Sequence, residues 1–280
     1  MIKNPIVSII TPVYNASKFL PRLLSSVGNQ NGVTYEHILV DDYSQDDSYT
    51  LLNELALENS FMTVVRLSKN SGPVVARNEA IKHASGRYLA FLDADDYWLP
   101  NKLATQVKFM EENDAALSFS DYRFISEDGR LIGDRISGFN KIGWRLHHMT
   151  RYLGCLTIMV NREKVPDFKF PNINPAVRAE DFLAWSEIIR RTGPALRCPH
   201  DLARYAQVAN SRSSLGLRAA KSVWKMYRVL EKIPLVRALP YFIAYVFFAS
   251  FKRSSYRPRL ESSVIDGELA KKYLLDGIND

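Results

Sequence analysis

Through the first 120 residues, short apolar runs alternate with longer segments whose apolar positions recur every three or four residues. The runs Val7–Ile10, His37–Val40, Thr63–Leu67 and Tyr88–Leu92 are four to five residues long and read as strands covered on both faces. Between them, Phe19, Leu20, Leu23, Leu24 and Val27 form one helical stripe, and Leu51, Leu52, Leu55 and Ala56 another. A third helix starts near Pro73 and carries Val74, Val75, Asn78, Ile81 and Lys82. Pro100 suits the first turn of a fourth, ahead of Leu103, Val107 and Met110. This alternation predicts an α/β unit, a mostly parallel sheet wrapped by helices.

From about Ala115 the pattern changes. Ala116–Ser120 reads as a strand, Glu127-Asp128-Gly129 as a hairpin turn and Cys155–Val160 as a further strand. A helix follows from Glu180 to Arg190 with Phe182, Trp185 and Ile189 on one face. A short strand near Leu202–Val208 precedes long helices from about Leu217. We divide the chain into a catalytic-sized unit, residues 1–215, and a helical tail, residues 216–280. No repeat or low-complexity linker interrupts it.

With 280 residues, 46% hydrophobic and 24% charged, the chain can bury a large core, which excludes disordered and collagen-like classes. Cys155 and Cys198 alone exclude a disulfide scaffold and a four-thiolate zinc site. The N-terminal apolar run is far shorter than a signal-peptide core, so the expected location is the cytoplasm. Net charge is +7, but it is not evenly spread. Ten Lys or Arg residues and one acid, Glu231, lie between Arg218 and Arg259, against 27 bases and 29 acids elsewhere. Basicity is therefore a property of the tail, and its aromatic content favours an anionic membrane surface over nucleic acid.

Three acidic clusters carry the candidate chemistry. In open α/β sheets, ligands bind outside the carboxyl ends of strands. Asp41-Asp42 closes the second strand, where Asp42 can accept from the N–H of a nucleotide base; Asp46 and Asp47 read more simply as caps of the next helix. Asp93-Ala94-Asp95-Asp96 follows a fully apolar strand. Carboxylates so close repel unless a cation lies between them, and Mg²⁺ or Mn²⁺ bridging to a diphosphate is one solution; a solvated turn leading to Pro100 is the other. Glu180-Asp181 opens a helix, where a carboxylate serves as a cap or, kept ionised by the helix dipole, as a general base.

Taken in order, VSIITPVYN, ILVDDYSQDDS, NSGPVVARNEAI, SGRYLAFLDADDYWLP and AEDFLAW resemble the family 2 inverting glycosyltransferases, which have the GT-A fold. The resemblance covers roughly residues 5 to 190. It is especially similar to glycosyltransferases of bacterial capsule, teichuronic acid and O-antigen assembly, as is the tail segment SVWKMYRVLEKIPLVRALPYF. The resemblance implies a nucleotide-sugar donor and a glycan or lipid-linked glycan acceptor. It assigns Pro12, Val13 and Tyr14 to the nucleotide pocket, Asp42 to the base edge (usually uracil), and Arg77 to the donor. Asp93, with Ala94 beside it, would touch the ribose or sugar, and Asp95 would bind Mn²⁺ or Mg²⁺. Asp181 would be the catalytic base, with Glu180 orienting sugar or acceptor. For Arg77 the residues alone leave open a structural pairing with a nearby Asp.

One departure from the family pattern stands out. Ala206 and Val208 occupy positions where many relatives have basic residues on the diphosphate, so Arg204 or Arg212 takes that part, or the leaving group is held less firmly. His147, His148 and His200 read as packing or surface residues. The loop TPVYNASKF lacks the glycines of a nucleotidyltransferase or dehydrogenase loop. The remaining rival is a catalytically inactive membrane-associated scaffold that binds nucleotide sugar. In the tail, Leu239–Phe251 is a 13-residue apolar run, short of the roughly 20 a spanning helix needs. It is expected to lie in the headgroup layer of the cytoplasmic face, with Tyr241, Phe242, Tyr245, Phe247, Phe248 and Phe251 inserted. The alternative is an aromatic side packed on the catalytic unit or on a second subunit.

Overall fold

Four apolar strands from the first third of the chain build one side of a single ten-stranded sheet. In the computed structural model, which describes residues 4–126, 130–173, 177, 179–206 and 217–254, these are β1 (Val7–Val13), β2 (Tyr35–Asp41), β3 (Met62–Arg66) and β4 (Tyr88–Phe91). They lie side by side in the order β3-β2-β1-β4, all parallel. The sheet continues through β9 (Ile158–Asn161), β6 (Leu117–Ile125), β10 (Ala195–Ala206) and β5 (Tyr97–Trp98). β9 runs antiparallel between β4 and β6, so β6 and β10 point the same way as β1. Two short strands, β7 (Leu131–Ile136) and β8 (Lys141–Ile142), add antiparallel to β6 and β10. The expected mostly parallel sheet is present, mixed at one side.

Alternation along each strand divides the core into two layers. Val7, Ile9 and Val13 of β1 face one cluster with Leu39 of β2, while Ile10, Ile38 and Val40 face the other. The first layer is closed by α1 (Leu20–Gly28), α2 (Ser48–Glu58) and α4 (Lys102–Glu112), the second by α3 (Pro73–His83) and α6 (Glu180–Thr192). The stripes read in α1, α2, α4 and α6 are the faces that bury, but in α3 the buried positions are Ala76, Arg77 and Ala80, where small side chains let the helix approach the sheet, while Val75 and Lys82 of the expected stripe are exposed. α3 starts where expected because Gly72 sits at φ 88°, a left-handed conformation that costs glycine little. α4 starts later than Pro100 suggested: Asn101 turns left-handed at φ 65°, and the helix opens at Lys102.

Other expectations are corrected. Cys155–Thr157 forms a 3-10 turn, so the strand there begins only at Ile158. The strand near Leu202 begins at Ala195 and ends at Ala206; Val208 lies outside the described residues, as does the turn Glu127–Gly129. A short helix, α5 (Trp144–Thr150), precedes the 3-10 turn. The tail forms α7 (Leu217–Lys225), a π-helical turn at Met226–Leu230 and α8 (Leu235–Ser254). One side of it packs onto α5 and α6. Tyr241 and Tyr245, expected against lipid, are buried in one cluster with Tyr227 and Phe182, where Trp144 and His148 of α5 offer Tyr241 an aromatic bed. The opposite side of α8 exposes Leu235, Leu239, Ile243, Val246 and Phe247. Among the described residues, no helix is long and apolar enough to cross a membrane.

Candidate active site

The chain order reverses between β1 and β4, and at such a switch point the flanking loops diverge at the strands' carboxyl ends. Pairing of β1 with β4 stops at Ile10–Phe91, whereas pairing with β2 runs on to Val13–Asp41. Pro12, which has no N–H to donate, stands beyond the end of the β4 ladder. Val13 is fully buried in the core, so its side chain supports this edge from behind, and Tyr14 is 49% exposed on the rim. The rim is stitched to the loop after β2. Asn15 N–H donates to Ser44 Oγ (3.0 Å), Gln45 N–H to Asn15 Oδ1 (2.8 Å) and Ala16 N–H to Ser48 Oγ (2.8 Å). Asp46 accepts from the N–H groups of Ser17 and Ser48 (both 3.1 Å) and so starts α2, while Asp47 makes no capping hydrogen bond.

Asp42 is buried at the tip of β2. Its Oδ1 accepts from Ser71 N–H (2.7 Å) and its Oδ2 from Gly72 N–H (2.8 Å), so it anchors the loop that launches α3. Each oxygen keeps a further lone pair for a ligand N–H. Asp41 acts differently, accepting from Ser44 N–H and pairing with Arg66 Nε at 3.3 Å.

One turn of α3 farther on, Arg77 reaches Asp93, with Nη2 donating to Oδ1 at 2.5 Å. Burial works against the guanidinium charge, but Asp93 outweighs it and holds the Arg77 pKa above its ordinary value. The sequence left both a donor-facing and a structural Arg77 open; the structure pairs it with the residue expected at the sugar. Asp95 is pushed up to about 6, first by burial and then by the charge of Asp93. Asp96 is raised well above the carboxylate range by burial and by both neighbouring aspartates, and its Oδ1 accepts from Ala206 N–H (2.8 Å). Ala94 is buried between them. Sequence reasoning missed Arg22 of α1, whose Nη2 donates to the Asp95 carbonyl (2.9 Å), because nothing in α1 announces a contact 73 residues away.

The N-terminus of α6 brings in the third cluster. Glu180 lies within the electrostatic reach of Arg77, and the Cys155 thiol sits in the combined field of Arg77, Asp93, Asp181 and Asp96. Burial, only partly offset by Arg77, pushes that thiol well above its ordinary pKa and keeps it neutral. Asp181 accepts from Phe182 N–H through Oδ1 (2.7 Å), leaving Oδ2. Acids from β2, β4 and α6 therefore meet at one edge of the sheet. Arg204, a candidate for the missing diphosphate contact, is buried and donates to Asp201 Oδ1 (2.7 Å); Arg212 lies outside the described residues. His147 and His148 are buried packing residues, held at about 3 and about 4 by desolvation.

The oxygen donors at this edge suit a hard divalent cation. Among the described residues, no group of three or more His, Cys, Asp or Glu side chains could hold a metal. A cation on Asp95 would therefore complete its shell with diphosphate oxygens and water, the usual habit of Mg²⁺ in phosphate sites.

Residues 8–165 match the protein family described as Glycosyl transferase family 2. A Bacillus subtilis protein named as a teichuronic acid biosynthesis glycosyltransferase is 36% identical over 89% of this chain and 98% of its own. The UDP-Glc:alpha-D-GlcNAc-diphosphoundecaprenol beta-1,3-glucosyltransferase WfgD of Escherichia coli is 31% identical over 86% of this chain and 92% of its own. Among solved structures, S. aureus TarS in complex with UDP-GlcNAc superimposes with a TM-score of 0.63 at 19% identity, covering 96% of this chain and 80% of that one. The mannosyltransferase PcManGT from Pyrobaculum calidifontis, in complex with GDP-Man and Mn²⁺, gives 0.61 at 17% identity over 97% and 81%. At these identities the structural likeness bears on the fold alone.

Proposed function

Because the chain belongs to glycosyl transferase family 2, with the GT-A fold, and is a glycosyltransferase, we propose that it moves a sugar from a UDP donor to a lipid-linked or surface-polysaccharide glycan, inverting the anomeric centre. The convergence of Asp42, Asp93 and Asp95 with Glu180 and Asp181 at one sheet edge is the observation that carries this reading. Tyr14 on the rim and Asp42 below it are suited to the base, Asp42 accepting its N–H. Arg77 and Asp93 form a paired wall against which the ribose or sugar is oriented. Asp181 takes the acceptor hydroxyl proton on Oδ2 as that oxygen attacks the anomeric carbon. Hydroxyl and carboxyl pKa values differ by roughly ten units, so proton transfer and bond formation are concerted. A divalent cation held by Asp95 would supply Lewis-acid charge to the departing diphosphate.

The relatives named for teichuronic acid biosynthesis and for a diphosphoundecaprenol substrate support a lipid-linked acceptor. We take residues 1–215 as the catalytic domain and 216–280 as an attachment tail on the cytoplasmic face of a membrane. Charge complementarity supports this: Lys221, Lys225, Arg228, Lys232 and Arg237 are all exposed, and α8 carries an uncovered apolar side. In the test, Asp181→Asn should lower turnover at least ~10²-fold with UDP affinity unchanged. Near-normal turnover in that variant would remove Asp181 as the base, and UDP binding without turnover in the wild type would favour the scaffold.

A further inference from the structure

Residues 162–173, which lead from β9 toward Glu180 and Asp181, form no helix or strand, so the sheet does not by itself aim these acids. Two anchors do. On one side, Asn78 of α3 pairs with the Phe170 backbone, its Nδ2 donating to the carbonyl (2.9 Å) and its Oδ1 accepting from the N–H (2.8 Å). On the other side stand the last helices. Val177, Ala179 and Phe182, which flank Asp181 in sequence, are buried in one cluster with Val223, Met226 and Tyr227. Ser222 Oγ donates to the Val177 carbonyl. The fully buried Tyr227 donates its hydroxyl to the His148 carbonyl, and the neighbouring His147 ring stacks on Phe182 at 4.0 Å and bonds the Phe182 carbonyl through Nε2 (3.0 Å). Farther along α6, Glu231 accepts from Arg190 and from Ser186 Oγ (3.2 Å). Glu231 is the lone acid of the basic tail stretch, yet its side chain is only 3% exposed. An attachment surface alone needs none of these buried polar links.

We propose that the C-terminal helices are a positioning element for the catalytic base, and that Tyr227 and Glu231 are its positioning residues. They fix the axis and first turn of α6 and so set where the Asp181 carboxylate meets the acceptor hydroxyl. This rests on Asp181 being the base. Misplacing a catalytic group by about 1 Å can cost on the order of 10²-fold in rate, so a small change in this clamp should register in turnover before it registers in binding.

The experiment uses the full chain with Tyr227→Phe, Glu231→Gln and Asp181→Asn, alone and combined. Turnover is followed as UDP release from whichever of UDP-glucose, UDP-galactose or UDP-N-acetylglucosamine the wild type hydrolyses fastest, beside UDP affinity and thermal unfolding. Tyr227→Phe and Glu231→Gln should each lower kcat about tenfold with KM and UDP affinity unchanged, and neither should reduce turnover further in the Asp181→Asn background. Unchanged kcat in both, or an undiminished loss in that background, overturns the proposal. Wild-type turnover in Asp181→Asn alone overturns the base reading instead. Should Glu231→Gln fail to fold, Tyr227→Phe, which deletes one hydroxyl, decides by itself.

Discussion

Lys102 opens α4 yet is completely buried, and among the described residues its Nζ has no hydrogen-bond partner. The ammonium lies over the face of Trp98, 3.8 Å from the ring centroid. Burial pushes its pKa down from 10.5 to about 7. The unfolded chain therefore binds one more proton than the folded one between about pH 7 and 10.5, and stability from this residue rises with pH across that window. A shift of this size corresponds to about 5 kcal/mol at or below pH 7, since each unit is about 1.4 kcal/mol. At pH 7.5 about 4 kcal/mol remains, and the contact with Trp98, about 2 kcal/mol at most, applies only to the protonated form.

Lys102→Met keeps an unbranched side chain one heavy atom shorter, ends it in an apolar thioether that also suits an aromatic face, and removes the proton linkage. The variant should be more stable than wild type by about 2–4 kcal/mol at pH 7.5. That advantage should shrink by about 1.4 kcal/mol per pH unit up to pH 9.5. Urea unfolding followed by tryptophan fluorescence at pH 7.5, 8.5 and 9.5 measures it, and taking the difference between the two proteins cancels every other titrating group. A stability difference that is flat with pH, or a variant less stable than wild type at pH 7.5, refutes the reasoning.

Gly86→Ala should cost about 1–3 kcal/mol in thermal unfolding, because a Cβ there would lie 2.6 Å from Ser8 N and 2.8 Å from Val7 C, backbone that cannot yield. Asp42→Ala should lower stability by about 2 kcal/mol, from the loop N–H groups it leaves unpaired, and weaken UDP binding by a further ~1–3 kcal/mol. Calorimetric titration well below the melting temperature separates the two, and unchanged UDP affinity confines Asp42 to the loop. EDTA, or Asp95→Ala, should abolish transfer, with added Mn²⁺ or Mg²⁺ restoring only the chelated wild type; full activity in metal-free protein refutes the metal assignment.

The sequence made the repetitive elements legible because their periods are set by burial on known faces. Val7–Ile10 and Tyr88–Leu92 are buried on both sides, and both read as apolar runs, the first with Ser8 as its one polar residue. β5 and β8 are two residues long, too short for any period, and form because neighbouring strands offer partners. β7 is fastened by Asp121, which takes Arg135 Nε (2.7 Å), Arg197 Nε (2.7 Å) and Ser137 Oγ (3.0 Å), so its stability rests on a carboxylate of β6 whose other partner, Arg197, lies 76 positions from it. The site acids were visible because each closes a strand or opens a helix. The groups that aim them (Arg22, the Ser71 and Gly72 amides, Asn78, Tyr227) act through tertiary contacts and carry no local signature. The tail was legible as basic and aromatic, but α8 is apolar nearly all round. Periodicity could not say that Tyr241 and Tyr245 face the protein while Ile243 and Phe247 do not.

The charges at the sheet edge bear on why a cation belongs in the proposed chemistry. The arginines that the fold brings nearby already have partners: Arg66 with Asp41, Arg77 with Asp93, Arg204 with Asp201, and Arg22 with the Asp95 carbonyl. Arg22, whose partner is a neutral carbonyl, keeps its charge beside the Asp95 carboxylate, and Lys69 stays exposed on the loop that Asp42 anchors. A nucleoside diphosphate brings at least two more negative charges. Like charges about 4 Å apart cost about 4 kcal/mol at an effective dielectric of 20, so the ionised Asp95 would repel a diphosphate brought beside it unless further positive charge is imported. A divalent ion held by Asp95 would offset that repulsion. It would do so without the basic residues that the chain lacks at Ala206 and Val208; at Ala206 the N–H instead holds Asp96. On this reasoning, loss of the usual basic contact would make transfer more dependent on a cation at Asp95.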